Sequence, residues 1–142
     1  MIVPDVNLLV YTCSEDAFFH DRAKAWWGAS LSGTEAVGLA WSVMPGFARV
    51  VSNRRMLTVP VGVEPALYRC RKWLTQPQVH VLLPGPDRLD VLADLLRGPT
   101  AVSALAPEAH LAALAIEHQA ELNSTDSDSA RFSGLRWRNP VA

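Results

Sequence analysis

The chain has 142 residues, the length of one ordinary domain and enough to bury a core without disulfide or metal staples. Apolar residues make up 49% and charged residues 19%, a balance that excludes a disordered tail. The net charge of −1 excludes a chain-wide basic surface, so any contact with nucleic acid must come from local patches.

Ile2 and Val3 are short, β-branched and followed by Pro4-Asp5, so they read as a buried strand with a carboxylate at its C-terminal end. A helix or turn runs from Asn7 to Tyr11. "DRAKAWWGASLSG" reads as a helix closed by Gly33, and the apolar run Ala36 to Trp41 as a second strand. Ser42 is placed to cap the next helix, "VMPGFARVVSN", where Pro45 lies in the first turn. "VEPALYRCRKWLTQ" places Leu67, Cys70 and Leu74 on one helical face. Val79 to Leu83 reads as a strand, and "PGPDRLDVLADLLRG" as a helix with Pro86 at its first position and Gly98 as its stop. Asp87, Asp90 and Asp94 on that helix read as a solvated face.

The clearest helix is "APEAHLAALAIEHQA", with Pro107 first, Glu108 in the first turn, and Leu111, Leu114 and Ala115 turned inward. "AELNS" then reads as a strand that delivers Asp126 at its end, and an edge strand is expected around Leu135 to Trp137. Strands alternating with helices argue for a parallel α/β sheet with helices on both faces, in a single domain spanning 1–142. Cys13 and Cys70 lack metal-binding spacing and read as buried free thiols, which makes a cytoplasmic protein the expectation. The N-terminus has no basic leader, and Asp5 and Asn7 interrupt its apolar run, so neither a signal peptide nor a membrane helix is expected.

In open parallel sheets, ligands gather outside the carboxyl ends of the strands. Asp5, Asp126 and Asp128 belong there, and Glu108 is placed to point into the same crevice. Crowded carboxylates raise one another's pKa unless a divalent cation neutralises them. With no His or Cys beside the acids, Mg²⁺ or Mn²⁺ suits the set better than zinc. Taken singly, Asp126 and Asp128 read as turn or cap residues and Glu108 as a dipole-favoured one. Asp5, next to a buried strand, needs a partner; the bland alternative is a turn closed on Asn7. His110 and His118, eight residues apart, lack chelating spacing. Arg49, Arg54 and Arg55 form a basic cluster near the acids, as an RNA phosphodiester substrate would require, although a solvated face explains them equally.

These blocks resemble the PIN-domain ribonucleases, and within them the VapC-type toxins of bacterial toxin–antitoxin pairs. The resemblance rests on "VPDVNLLVY", "AWSVMPGFARVVSN", "APEAHLAALAIEHQAEL" and "STDSDSARFSGLRWRNP", four blocks in order over nearly the whole chain. It implies a three-layer α/β/α PIN-like fold, a Mg²⁺- or Mn²⁺-dependent endoribonuclease, a homodimer and inhibition by a cognate antitoxin. Carried over by position, Asp5, Asp126 and Asp128 are metal-site acids, and Asn7 and Thr125 orient Asp5 and Asp126 by hydrogen bonds. Gly46 stands where many members carry Glu, and Glu108 where Asp is usual. The expected centre is therefore Asp5, Glu108, Asp126 and Asp128, with water at the remaining position. The rival reading is a weakened PIN domain that serves as an RNA- or antitoxin-binding module.

Overall fold

A computed structural model describes residues 1–97 and 107–142. The five strands are β1 (Ile2–Pro4), β2 (Val37–Ala40), β3 (Val79–Leu82), β4 (Glu121–Asn123) and β5 (Arg136–Arg138). They form one all-parallel sheet in the order β3-β2-β1-β4-β5. The helices are α1 (Val6–Tyr11), α2 (His20–Ser32), α3 (Val43–Val51), α4 (Val63–Trp73), α5 (Arg88–Leu95) and α6 (Pro107–Glu117), and a short 3-10 turn covers Ser127–Arg131. The expected three-layer α/β/α architecture is present. Right-handed crossovers place the helices between β1, β2 and β3 on one face, and those that lead back to β4 on the other. The packing agrees: α1 lies against α2 and α3, α3 against α4, and α5 against α6.

Strand β1 is buried along its whole length, with β2 on one side and β4 on the other, so it reads as uninterrupted apolar sequence. Gly38 in β2 is required by close approach: a Cβ there would sit 2.4 Å from Leu82 Cδ1. One half of the core is aromatic. Trp27 meets Trp73 edge-on at 5.4 Å, and Trp73 packs on Phe47 at 5.0 Å, which ties α2, α4 and α3 together. Phe47, Val43, Met44, Ala48 and Val51 form the buried stripe of α3, the i, i+3, i+4 pattern expected of an amphipathic helix.

The other half of the core is aliphatic and rests on α6. Besides the expected Leu111, Leu114 and Ala115, its Ala109, Ala112 and Ala113 are buried. Its small side chains suit the close packing of α5 against α6. An ion pair closes this layer: Arg88 Nη1 donates to Glu117 Oε1 at 2.8 Å, with both side chains at or below 10% exposure. The backbone N–H of Gly85 donates to Glu117 Oε2 at 2.7 Å, and Arg88 Nη2 lies 2.6 Å from His110 Nδ1. Burial, and then the Arg88 charge, hold His110 below the ordinary imidazole range, so the neutral ring accepts from Arg88.

Several boundaries differ from the sequence expectation. Helix α5 begins at Arg88 after Asp87, not at Pro86, because the Gly85 N–H is committed to Glu117 and the Arg88 N–H bonds back to Gly85 O; Gly98 lies outside the described residues. Ser42 precedes α3 but makes no side-chain cap. Cys70 is buried and its thiol is pushed up to about 11 by burial, whereas Cys13 is only half-buried. No described helix is long and apolar enough to cross a membrane.

Candidate active site

The carboxyl ends of β1, β2 and β4 open onto a cleft of about 430 Å³ lined by Asp5, Asn7, Ser42, Gly46, Arg49, Glu108, Asp126 and Ser129, among others. Strand order reverses between β1 and β4, so this is the topological switch point of the sheet. Asp5 arrives at the end of β1, Asp126 three residues beyond β4, and Glu108 on the first turn of α6. Helix α3 supplies the opposite wall through Gly46 and, one turn on, Arg49.

Asp5 is held at both oxygens. Its Oδ1 accepts from the Val6 N–H at 2.7 Å, capping α1, and its Oδ2 accepts from Ser124 Oγ at 2.8 Å. Burial nevertheless raises its pKa above the ordinary value, and the charges of Glu108 and Asp126 push the same way, against the lowering effect of the two hydrogen bonds. The fold thus keeps a carboxylate where its ionised form is disfavoured, a pattern more common at functional sites than elsewhere.

Ser124 organises the centre. Fully buried at the end of β4, it donates to Asp5 and accepts from the Asp126 N–H at 3.0 Å, so one hydroxyl joins two strands and fixes two acids. The resemblance gave these orienting roles to Asn7 and Thr125, whereas in the structure it is Ser124 that makes the bonds. Asn7 is exposed on the cleft wall, Thr125 lies outside the lining, and among the described residues neither hydrogen-bonds to Asp5 or Asp126. The only local sign of Ser124 is a small hydroxyl residue at a strand end two positions before an acid.

Of the four expected acids, the cleft gathers Asp5, Glu108 and Asp126. Asp128 is turned out: Asp126 Oδ1 accepts from the Asp128 N–H at 2.9 Å and starts the 3-10 turn. The Asp128 side chain, 69% exposed, lies 3.4 Å from Arg131 Nη2. Of the basic cluster, Arg49 lines the cleft, whereas Arg54 and Arg55 are exposed on the turn after α3 and lie outside the lining. Ser129, despite its size, is buried in the wall. Glu35 lies before β2, at the opposite end of the sheet, 3.9 Å from the N-terminal amine.

A hard divalent cation suits this cleft in the kind of donor it offers: three carboxylates and no nitrogen or sulfur ligand. The unfavourable charge on Asp5 is what such an ion would relieve. The acids are not drawn together in advance, and among the described residues no three His, Cys, Asp or Glu side chains stand close enough to form a ready metal cluster.

No family model matches the chain. Among curated proteins it is 39% identical to Ribonuclease VapC33 of Mycobacterium tuberculosis over 141 residues, 99% of each chain. It is 34% identical to Ribonuclease VapC37 of the same species over 142 residues, 100% of this chain and 99% of the relative. Among solved structures it resembles a chain in the crystal structure of VapBC2 from Rickettsia felis bound to a DNA fragment from their promoter. That match has a TM-score of 0.68 at 15% identity and covers 98% of each chain. At such low identity the structural match speaks for the fold alone.

Proposed function

The chain belongs to the VapC ribonucleases, and from that premise we propose that it is a toxin endoribonuclease that hydrolyses RNA phosphodiester bonds in the cleft at the carboxyl ends of β1 and β4. One observation carries the assignment of the site: Asp5, half-buried and held by Ser124, lines a single cleft with Glu108 and Asp126. A carboxylate whose ionised form is disfavoured, lining a cleft at the switch point with two further acids, suits a cation-assisted reaction on a phosphate.

Asp5, Glu108 and Asp126 would hold the ion, Mg²⁺ or Mn²⁺. When bound, it supplies a water of lowered pKa and neutralises charge on the phosphate. The chain's own residues do the rest. Ser124 fixes the orientation of Asp5 and the backbone of Asp126, so both carboxylates present set lone pairs to the cleft. Arg49, on the opposite wall, is placed to take a non-bridging phosphate oxygen by a charge-assisted hydrogen bond. Asp128 is 69% exposed and would contribute through the 3-10 turn it shares with Asp126. The other proposed attributes, a homodimer in the cytoplasm controlled by a cognate antitoxin that covers this cleft, follow from the family.

The test is cleavage of RNA with Mg²⁺, Mn²⁺ or EDTA by the wild type, Asp5→Asn and Asp126→Asn. Metal-dependent cleavage lost in both variants is expected; cleavage that persists unchanged in both would move the active site elsewhere. A second reading, a weakened domain that binds RNA or antitoxin without cutting, is favoured by two observations: Gly46 brings no side chain to the wall, and Asp128 is turned out. RNA binding without cleavage under all three conditions would select it.

A further inference from the structure

We propose that Trp41 is the base-stacking residue of this site, on which a base of single-stranded RNA next to the scissile phosphate lies. The inference rests on the reading of the cleft as a ribonuclease site. The chain has five tryptophans, and the other four are engaged: Trp27 and Trp73 are buried and pack edge-on, Trp26 packs on Trp27 at 5.4 Å, and Trp137 packs against the core. Trp41 is 63% exposed, and among the described residues no aromatic ring partners it. An indole is the largest apolar surface a side chain offers, and one left in water on an otherwise well-buried set needs a reason.

Its place in the fold supplies one. Trp41 is the first residue beyond β2, at the carboxyl end of the sheet. The next two residues, Ser42 and Val43, line the acidic cleft, and the same helix continues the wall through Gly46 and Arg49. The backbone is tied down there, since the Trp41 N–H donates to Leu82 O at 3.4 Å. Ala40 pairs with Leu82 across β2 and β3, and the residues that follow them, Trp41 and the 61% exposed Leu83, both leave the sheet at its carboxyl end and offer a small apolar shelf. A shelf of two side chains matches one nucleobase and falls far short of a protein interface. The cleft lining holds the acids and Arg49, and Trp41 stands one residue before it in the chain, so on this proposal the cleft takes cation and phosphate and the indole beside it takes the base. A base in a duplex has both faces already stacked, so the shelf selects unpaired RNA, with little preference among bases.

The test uses Asp5→Asn, so that RNA is bound without being cut, and a fluorescein-labelled single-stranded RNA of mixed sequence. Fluorescence anisotropy gives the Kd with and without Trp41→Ala or Trp41→Phe in the same chain. Trp41→Ala is expected to weaken binding by about 5- to 100-fold, the size of one base–aromatic stack, and Trp41→Phe to recover most of it. Binding of the same sequence as a duplex is expected to be unmoved by either. An unchanged single-strand Kd for Trp41→Ala overturns the proposal. So does a fall in molar mass by light scattering with RNA affinity intact, which would assign the indole to a protein contact. If the wild type cleaves RNA while Trp41→Ala binds it normally, the ribonuclease reading stands and only the stacking role falls. If the wild type neither binds nor cleaves RNA, both fall together.

Discussion

Replacing Gly46 separately by alanine and by glutamate measures the charge balance of the cleft. Gly46 is the fourth residue of α3, and glycine inside a helix is less favourable than alanine by about 0.8–1.0 kcal/mol. A Cβ there would meet Val6 Cγ2 at 3.4 Å, an ordinary contact. Gly46→Ala is therefore expected to stabilise the protein by about 0.5–1 kcal/mol, or about 2–4 °C in Tm for a chain of this size. Gly46→Glu keeps most of that backbone gain and adds an i, i+3 pair with Arg49 worth about 0.3–0.5 kcal/mol. It also places a fourth negative charge on a wall facing Asp5, Glu108 and Asp126. At an effective dielectric of about 20, like charges repel by about 4 kcal/mol at a separation of about 4 Å, and by roughly half that at twice the distance. Repulsion wins in the absence of cation. In EDTA, Gly46→Glu should melt below Gly46→Ala by more than their difference in helix propensity. Excess Mg²⁺ or Mn²⁺ should raise the Tm of Gly46→Glu more than that of the wild type, because each added ligand charge tightens the ion and binding to the folded state alone is stabilising. Thermal melts of the three proteins with and without metal decide the matter. If the two variants melt together in EDTA, or all three gain equally from metal, position 46 does not face the acids and the charge account of the cleft is wrong.

Asp5→Asn should abolish cleavage, by about a hundredfold or more if several kcal/mol of charge stabilisation are lost, and yet stabilise the metal-free protein. Burial raises the folded Asp5 above its ordinary value of 3.8, so the wild type loses stability as pH rises from there through the folded value and carries the full penalty at neutral pH. The variant's advantage, about 1 kcal/mol by urea melts at neutral pH in EDTA, should shrink on acidification and vanish below the unfolded pKa. Arg88→Ala strands a buried Glu117 carboxylate, and urea unfolding should show a loss of about 3–5 kcal/mol. Gln119, two residues beyond α6, has a φ of 52°, and the Ala120 N–H reaches back to Ala115 O. Gln119→Gly removes the cost of a side chain in that left-handed conformation and should raise stability by about 1 kcal/mol, read as a higher urea midpoint at unchanged slope.

The alternation of strands and helices was legible because each strand is a short apolar run that ends at a polar residue, and a parallel sheet forces a helix between successive strands. The same rule placed Asp5 and Asp126 at one end of the sheet. Asp128 escaped it, since its direction is set by a 3-10 turn that Asp126 itself caps, and two residues in such a turn do not share a face as they do along a strand. Ser124 escaped for a different reason: its bond to Asp5 spans 119 positions in sequence, which local reasoning cannot see, and the resemblance pointed instead to Asn7 and Thr125. Trp41 read as the end of an apolar strand. Apolar periodicity cannot tell the last buried residue from the first exposed one.

The three cleft acids differ in how firmly they are held, and the difference bears on how a centre would assemble. Asp5 has both oxygens engaged by protein donors, Val6 at the start of α1 and Ser124 at the end of β4, and Asp126 has one engaged by the turn it starts. Glu108 is exposed on the first turn of α6, with the longest side chain of the three and no partner among the described residues. Closing the set in the absence of cation would add to the repulsion that already burdens Asp5, to which the Glu108 charge contributes more than that of Asp126. A cation reverses the sign of that cost, and Glu108 has the reach to follow. Glu108→Asp would keep the charge but shorten that reach by one methylene, holding the carboxylate nearer to the helix.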